Sequence, residues 1–520
     1  MTRQAGPREW LGCAVLALPT LLVSIDVSVM LLALPHISTG LHANSTQTLW
    51  IMDIYGFMLS GFLITMGTLG DRIGRRKLLM IGAAGFSGAS LAAAFATTPL
   101  LLIVARALLG IAGATLGPSI LALISNLFGD PRQRALAIGL WLVCFMGGMA
   151  IGPLAGGLLL EHFWWGAVFL PGLPVMLLLL VAAPLLLPEY RDPRPGRLDL
   201  ASVALSLATI LPIIYGLKEI ARDGLHALPC ATIVLGSAVG VLFVRRQLQL
   251  DHPLVDIRLF ANPAFNAALG GMFGVTLTGA NMLFITQHLQ FVEGLSPLHA
   301  GLWTLPAVAA SVVGFLTSPL IARRVRPARL IVAGLGVSVI GALLFTQVQA
   351  TAAGLSLLVV AYAMWNLGAA PLVSLSTDLV VGSAPPARAG AAASLSETSA
   401  EFAFALGIAV LGSLGTAVYR AQLVASLPAG IAGEAARDSL GGAMAAAASL
   451  PEPLAMPLLL AAREAFTSGM HLVAAISAVV LCAVAVFTLR LLGHVRPIGS
   501  TQQHAAAPSP LDLSIYGEAA

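Results

Sequence analysis

Long apolar runs alternate with short polar connections over almost the whole chain. A membrane-spanning helix needs about 20 consecutive apolar residues, and the pattern therefore predicts fourteen transmembrane helices. The first run shows no small-residue cleavage site, so it is interpreted as a retained helix and not as a signal peptide. The predicted spans are residues 11–34, 47–70, 78–97, 99–125, 134–160, 164–187, 199–220, 226–247, 263–290, 298–322, 328–347, 353–382, 389–418 and 469–492.

The predicted spans fall into three groups. Residues 1–187 contain a six-helix bundle, residues 188–262 a cytoplasmic linker and two extra helices, and residues 263–496 a second six-helix bundle. The predicted fold class is thus an all-α integral membrane protein. Residues 419–468 are predicted to form a long external segment, as an Ala-rich helical hairpin, and residues 497–520 a disordered cytoplasmic tail.

Composition and charge agree with a membrane protein. Hydrophobic residues make up 58% of the chain and charged residues only 10%, whereas soluble domains carry about 25% charged residues. Lys and Arg concentrate in the connections that follow even-numbered spans, which places those connections and both termini in the cytoplasm. The prediction is a multi-pass monomer in a bacterial inner membrane. The net charge of +4 is explained by these connections and does not indicate nucleic-acid binding.

Five ionisable residues lie well away from the ends of the predicted spans: Asp26, Asp53, Arg106, Glu397 and Glu401. A charge at the centre of a bilayer costs roughly 2.5–3.5 kcal/mol on insertion scales. At a rise of about 1.5 Å per residue, four of them share a depth of roughly 9–12 Å from the outer surface, and Glu397 lies one turn deeper. We therefore expect their helices to surround one polar cavity. The alternative, separate snorkelling to water, is difficult for short Asp and Glu side chains.

Glu397 and Glu401 are four residues apart, so they share a helix face at a separation of about 5–6 Å. Two carboxylates in a poorly solvated site cannot both ionise cheaply, so at least one should hold a proton near neutral pH. A deprotonated carboxylate would instead bind an organic cation, and the site could exchange one for the other. Arg106 is expected to approach Asp26 or Asp53. The alternative for Glu397 is a position in a first helical turn, facing cytoplasmic water.

Two glycine-rich strings stand out. GTLGDRIGRRK (67–77) joins spans 2 and 3, where glycine permits a tight turn and the basic run anchors the inner surface. In span 5, GMAIGPLAGG (148–157) places glycines in a smooth stripe for close helix contact, with a proline that can bend the helix. The residues of interest are Gly67, Gly70, Asp71, Arg72, Gly74, Arg75 and Arg76 in the loop, and Gly148, Gly152, Pro153, Gly156 and Gly157 in span 5.

These strings resemble signatures of the major facilitator superfamily. The loop matches its GxLaDrxGrr pattern, RALLGIAGA around Arg106 resembles its span 4 motif, and the span 5 string matches the gxxxGPxxGG pattern of its antiporters. SIDVSVMLLALP (24–35), LWIMDIYGF (49–57) and ETSAEFAFALG (397–407) resemble its fourteen-helix drug:proton antiporters, and the resemblance covers about residues 8–495. The loop after span 10, SPLIARRVRPARL, departs from the family because it lacks the Asp and Gly of a second loop signature.

The resemblance implies two bundles that rock about a central site. It implies that Asp26, Asp53, Glu397 and Glu401 bind protons and cations, and that Arg106 is a relay. Aromatic side chains could line the cavity and hold cations by cation–π contact, although packing or lipid-facing roles are equally open for each. These are Trp50, Tyr55, Trp141, Phe145, Phe284, Trp303, Trp365 and Phe402.

The favoured function is a proton-coupled antiporter that exports lipophilic cations, such as quaternary ammonium compounds and dyes, by alternating access. The alternative cargo is an endogenous antibiotic, a lipid or a neutral metabolite; four acids against one arginine favour a cation. An enzyme is not expected, because the sequence contains no HExxH, paired-His or GxSxG motif. No cofactor or metal site is predicted, and a receptor or scaffold would leave the five charges unused.

Overall fold

The computed structural model describes residues 5–43, 45–191, 199–250, 253–255, 257–349, 352–382, 389–426, 436–437 and 439–492. Within these ranges the regular structure is entirely helical. Fourteen helices are long and apolar enough to cross a membrane, which confirms the predicted number and the all-helical fold class. The predicted tail at 497–520, and residues 192–198 of the predicted linker, lie outside the described residues.

The first six spanning helices share one apolar core. Thr98 and Asp130 begin two of them: each side chain accepts a backbone N–H of the first turn, and a proline follows at the first helical position. Leu16, Phe86 and Phe128 are fully buried in the core. The helices are α1 (Pro7–Gly40), α2 (Ser45–Ile73), α3 (Arg75–Ala94), α4 (Pro99–Leu127), α5 (Pro131–His162) and, after a 3-10 turn at Trp165–Phe169, α6 (Gly172–Leu186).

Two further helices, α7 (Leu200–Asp223) and α8 (Ala227–Gln249), pack against each other. Asp199 precedes α7 and accepts hydrogen bonds from Arg246 of α8 at 2.6 and 3.1 Å. The bond from Arg246, helped by one from Ser202, holds the pKa of Asp199 well below its ordinary value, so the pair stays charged at neutral pH. This ion pair and the apolar contacts hold α7 and α8 together as a pair.

The remaining spanning helices share a second apolar core, in which Ile331, Leu335 and Phe345 are fully buried. Two of the spans contain a π-helical turn, at His288–Val292 and at Ile408–Gly412. The helices are α9 (Pro263–Leu277), α10 (Ala280–Gln287), α11 (Pro297–Ile321), α12 (Pro327–Phe345), α13 (Ala352–Gly382), α14 (Ala389–Gly407), α15 (Ser413–Ser426), α16 (Leu440–Ala448) and α17 (Glu452–Leu492).

The last helix begins earlier than the sequence pattern indicated. The predicted span was 469–492, whereas α17 runs for 41 residues from Glu452. Pro453 and the charged residues near 463 mimic a loop, but a proline in the first helical turn loses no helical hydrogen bond. The Leu- and Ala-rich run that follows continues the helix past Pro457, although that proline lies inside the helix and removes one backbone hydrogen bond. Residues 452–468 are therefore part of the last helix, and α16 is a short helix within the predicted hairpin segment.

The extra pair α7–α8 covers the junction between the two cores. Ile210 and Phe243 of the pair share an apolar cluster with Ile64 of α2, and Phe402 of α14 packs against this cluster. Further along, the hydroxyl of Thr68 in α2 donates to the carbonyl of Leu254, 2.8 Å away. One edge of the seam between α2 and α14 therefore lies beneath the extra helices.

Candidate functional site

Arg106 is a buried cation that ties α4 to α1 and α2. Its side chain is 2% exposed, and its Nη1 donates to Oδ2 of Asp26 at 2.9 Å. Its Nε donates to the carbonyl of Ile51 at 3.3 Å, and its Cζ lies 4.7 Å from the centre of the Tyr55 ring. Of the two acids that the sequence left open, Asp26 forms this ion pair. Arg106 thus fixes three helices around one charge.

Tyr55 stands between the acidic groups of the two bundles. Its hydroxyl is buried, and no hydrogen-bond partner is found for it among the residues that the structure describes. It lies close enough to Asp26, Arg106 and Glu401 to interact with each electrostatically. Asp53 lies two residues earlier on α2 and is half-buried. The predicted acids of α1, α2 and α14 therefore occur around one stretch of α2.

The two glutamates of α14 face the first bundle. A Cβ added to Gly117 of α4 would lie 2.5 and 2.7 Å from the carboxylate oxygens of Glu397, so a larger residue there would displace this carboxylate. Oε1 of Glu397 is buried and has no hydrogen-bond partner within the described part of the chain. The helix begins at Ala389, two turns earlier, so the first-turn alternative for Glu397 does not hold. Glu401 is half-buried one turn further on.

Residues 67–77 join the two bundles at one end of the molecule, and the predicted loop is shorter than expected, because all of these residues except Gly74 lie in α2 or α3. Asp71 is 5% exposed and pairs with Arg75. Its Oδ2 also accepts the backbone N–H of Ala391 at 3.1 Å, in the first turn of α14. One turn earlier on α2, Gly67 lies against Ser394 so closely that an added Cβ would overlap that side chain. Asp71 thus caps the helix that carries the two glutamates.

Other loop residues hold this end of the first bundle together. Gly74 has φ +111°, a backbone conformation that disfavours other residues. Glu189, which follows α6, accepts the backbone N–H groups of Arg76 and Lys77 at 3.0 and 3.1 Å and pairs with the Arg76 guanidinium. Gly70 lies against Arg75, and Arg72 is half-buried at the end of α2.

An ion pair also crosses between the bundles at the same end. Nε of Arg134, in the first turn of α5, lies 2.6 Å from Oδ1 of Asp378 near the end of α13. Both side chains are largely buried. The two residues are 244 positions apart in the chain, so the sequence alone does not indicate that they pair. Nearby, Gly139 of α5 allows the backbone carbonyl of Phe315 in α11 to approach.

The glycines of span 5 form the contact between α5 and α1. Gly148 faces Ser24, Gly152 faces Ser28 and Gly156 faces Val29, each so closely that a Cβ would clash. In contrast, nothing in the described structure lies within 4 Å of a Cβ on Gly157. Pro153 falls within α5. Successive helical residues differ by about 100°, so α1 presents its serines to α5 and Asp26 to α4.

The aromatic residues do not form one group. Trp365 is buried in the second core against Phe345 and Tyr362, with ring centroids 6.3 and 6.1 Å away, so it has a packing role. Phe284 packs on Phe466 at 5.6 Å in the same core.

The other aromatic residues are divided between contacts and exposed positions. Tyr55 contacts Arg106, and Trp141 donates through Nε1 to Thr20 Oγ1 at 2.7 Å. Phe402 packs beneath the extra helices. Trp50, Phe145 and Trp303 are exposed in the isolated chain.

Residues that the sequence did not single out complete the site. Gly117, Ser24, Ser28 and Ser394 each provide the small surface that a predicted residue packs against. Gly117 lies three residues beyond the span 4 string, and Ser24 and Ser28 lie within the span 1 string. Neither string indicates which residues these positions pack against.

Comparison with known proteins identifies the family that this chain matches. The family model described as Major Facilitator Superfamily matches residues 16–408. The multidrug efflux pump LfrA of Mycolicibacterium smegmatis is 45% identical over 93% of this chain and 96% of its own. The methyl viologen resistance protein SmvA of Salmonella typhimurium is 36% identical over 88% and 93%. A tetracenomycin C resistance and export protein of Streptomyces glaucescens is 31% identical over 92% of each chain.

Solved structures with low sequence identity share the fold. The human organic anion transporter MFSD10 (TETRAN) aligns with a TM-score of 0.58 at 15% identity, over 92% of this chain and 100% of that one. A bacterial homologue of the human lysosomal transporter Spinster, in an inward-facing and occupied conformation, aligns with a TM-score of 0.55 at 16% identity, over 95% and 99%.

Proposed function

The chain belongs to the Major Facilitator Superfamily and is a multi-pass membrane transporter, not an enzyme; we propose that it is a proton-coupled antiporter that exports lipophilic cationic drugs. The proposal is carried by one observation: Glu397 packs against Gly117 of the first bundle, and Glu401, one turn further on, interacts electrostatically with Tyr55, whose ring contacts Arg106. Carboxylates at such a seam bind either protons or cations.

The relatives support export of drugs and, in one case, of cations. The relative with 45% identity is named as a multidrug efflux pump. Another is named for resistance to methyl viologen, which is an organic dication. The alignments with these two relatives cover almost the whole of each chain, so the similarity includes α1, α2, α4 and α14 together. We transfer this substrate class to the present chain as part of the proposal.

The exchange depends on competition at the glutamates. Glu397 has a buried carboxylate oxygen without a partner in the described structure, a position that favours either a bound proton or an incoming positive charge. Glu401 lies one turn away on the same face, so a negative charge on Glu401 would repel a negative charge on Glu397. Protonation from outside then releases the cation, and loss of the proton to the cytoplasm restores the cation site.

Asp26 and Arg106 have a different role in this scheme. Because Asp26 is already paired with Arg106, a proton that binds Asp26 would free the guanidinium to turn towards another acid. Tyr55 contacts Arg106 and interacts electrostatically with Glu401, so it would pass this rearrangement to the second bundle. In this scheme the Asp26–Arg106 pair responds to the binding of a proton, while Glu397 and Glu401 bind the cation.

The end of the molecule that carries Asp71 is proposed to face the cytoplasm, since the basic loop residues lie there. In this structure Asp71 bonds to Ala391 and Arg134 to Asp378, so both contacts would close the cytoplasmic side. Alternating access would require both to break when the site turns inward. The two termini are proposed to be cytoplasmic as well.

Transport in purified form tests the proposal. The protein would be reconstituted in liposomes with a pyranine pH probe, and ethidium would be added with and without an imposed pH gradient. We expect gradient-driven ethidium transport and ethidium-induced proton movement. Ethidium transport that is independent of the gradient, or absent in an active preparation, would refute proton-coupled cation export.

A second candidate cargo is an antibiotic made by the producing cell. It is favoured by the relative named for tetracenomycin C resistance and export. The same liposomes, supplied with a neutral aromatic antibiotic in place of ethidium, distinguish the two. Proton movement with the neutral compound alone would support this second function.

A further inference from the structure

An apolar cavity of about 350 Å³ lies beneath the extra helices. Small-molecule sites have volumes of roughly 300–1,000 Å³, so its size is sufficient for a ligand group. The walls come from both bundles and from the extra pair, so the cavity lies where α2, α9 and α14 meet the extra helices. The lining residues are Ile64, Ser206, Thr209, Ile210, Phe243, Phe260, Leu269, Phe273, Leu395, Thr398, Ser399 and Phe402.

Helix α14 contributes side chains to this cavity and also carries Glu397 and Glu401. The two sets of side chains lie at the same position along the helix axis. Leu395, Thr398 and Phe402 follow the three- and four-residue spacing of one helix face. Glu397 and Glu401 alternate with them along the chain and point in a direction rotated by about 130°. A molecule that passes around α14 would therefore reach the carboxylates on one side and the apolar cavity on the other.

A lipophilic cation with a flexible chain has two ends with opposite requirements. Its charged head is matched by the carboxylates of α14. Its hydrocarbon tail would lose about fourfold in affinity for every methylene left in water within a polar chamber. The apolar cavity provides a place for that tail at the depth of the head group.

We propose that the cavity between α2, α14 and the extra pair holds the hydrocarbon tail of a transported cationic amphiphile, whose head group binds at Glu397 and Glu401. This inference rests on the proposed function and extends it to a tail subsite. The charge complementarity between the ammonium group and the neighbouring glutamates selects this occupant over a neutral lipid. The extra helices form the outer wall of the subsite.

The test fills the cavity from α7 and uses a matched control. Thr209→Phe adds a ring from the cavity-lining side, whereas Ala208→Phe adds the same ring one residue earlier, where the side chain is exposed. Phe243→Ala, on α8, enlarges the cavity instead. Proteoliposomes containing each variant would receive alkyltrimethylammonium ions of increasing chain length below their micelle concentrations, and ethidium as a compact cation. The readout is the concentration that gives half-maximal proton movement.

Comparing variants at equal chain length cancels the partitioning of each compound into the bilayer. We expect Thr209→Phe to raise the half-maximal concentration about tenfold for long chains, with no change for short chains or ethidium. Ala208→Phe should match the unmodified protein. Phe243→Ala should shift the optimum to longer chains, which remains informative if Thr209→Phe fails to fold.

Two results would overturn the tail subsite. The first is an identical chain-length dependence in the unmodified protein, Thr209→Phe and Phe243→Ala. The second is an equal loss for ethidium and all chain lengths, which would indicate that the cavity holds a structural lipid. Failure of the proposed function is distinct, because the unmodified protein would then move no protons with ethidium or with any ammonium ion.

Discussion

The carboxylate of Asp71, at the end of α2, accepts the backbone N–H of Ala391, at the start of α14, at 3.1 Å. A negative charge at a helix N-terminus is also favoured by the helix dipole. Ala391 lies six residues before Glu397, about 9 Å along the axis. The contact that joins the two bundles and the carboxylate that would bind a proton are therefore carried by one rigid helix.

Removal of this contact should open the end of the molecule that carries Asp71. The bond involves a charged acceptor, which is typically worth about 1.5–3 kcal/mol. We expect Asp71→Ala to increase labelling of a Ser394→Cys reporter by a water-soluble maleimide about tenfold or more, in a background without the four native cysteines. Asp199→Ala, which removes the carboxylate of an ion pair in the extra helices, is the control. Equal labelling of both variants would contradict a role of Asp71 in closure.

The Arg134–Asp378 ion pair can be tested by charge reversal. Either single change, Arg134→Asp or Asp378→Arg, places two like charges at a largely buried contact and should slow ethidium transport strongly. The double variant restores the attraction with exchanged partners. We expect a coupling of about 0.5–3 kcal/mol from a double-mutant cycle on thermal stability. Additive effects of the two changes would show that the contact is not maintained in the membrane.

Asp26 and Arg106 should be required for coupling and not for folding alone. Asp26→Asn leaves the Arg106 charge buried without its partner, a change that costs about 3–5 kcal/mol in a fully buried pair. We expect it to abolish proton-driven ethidium efflux in everted vesicles. Arg106→Lys keeps the charge but loses the geometry over Tyr55, so it should retain folding and lose most transport. Full efflux in both variants would refute the assignment.

The glutamates should make cation binding depend on pH. If one proton competes with one cation, the affinity for ethidium should increase with pH, by at most about tenfold per unit. Glu401→Gln should flatten this dependence, and the double variant with Glu397→Gln should abolish it. Fluorescence titrations of purified protein between pH 6 and 8 would measure it. An unchanged slope in the double variant would place the competing proton elsewhere.

The contact between α1 and α5 offers a control within the same motif. Gly152→Leu introduces a side chain against Ser28, whereas Gly157→Leu extends into a region where nothing described lies within 4 Å. Overpacking of a tight contact costs typically 1–3 kcal/mol. We expect Gly152→Leu to lower the melting temperature of purified protein and Gly157→Leu to leave it nearly unchanged. Equal losses would mean that the stripe is not the relevant contact.

The hydrophobic pattern predicted the number of spans because the requirement for about 20 apolar residues is imposed by the bilayer and not by tertiary contacts. It failed at α17, where Pro453 and the charges near residue 463 resemble a loop although the helix is continuous from Glu452. In this region the Leu- and Ala-rich composition favours a continuous helix, whereas proline and the charged residues are typical of a helix end. The hydrophobic pattern alone does not decide between these two outcomes.

The site was predictable only in part. Residue counting placed Asp26, Arg106 and Glu401 at one predicted depth, since the rise per residue of an α-helix is nearly constant whatever the sequence. Whether Arg106 pairs with Asp26 or Asp53 depends on helix rotation, which packing determines. The same limit applies to Asp378: its charge was visible, but Arg134 became its partner only through the approach of α5 and α13.

The close approach of α5 to α1 limits the passage of protons across the membrane. Where Ser24 and Ser28 face Gly148 and Gly152, even one added methyl group would collide, so no continuous file of water fits between these helices. Hydronium ions therefore cannot leak along the contact between α1 and α5. This face of the first bundle would not dissipate the membrane potential while the transporter is idle.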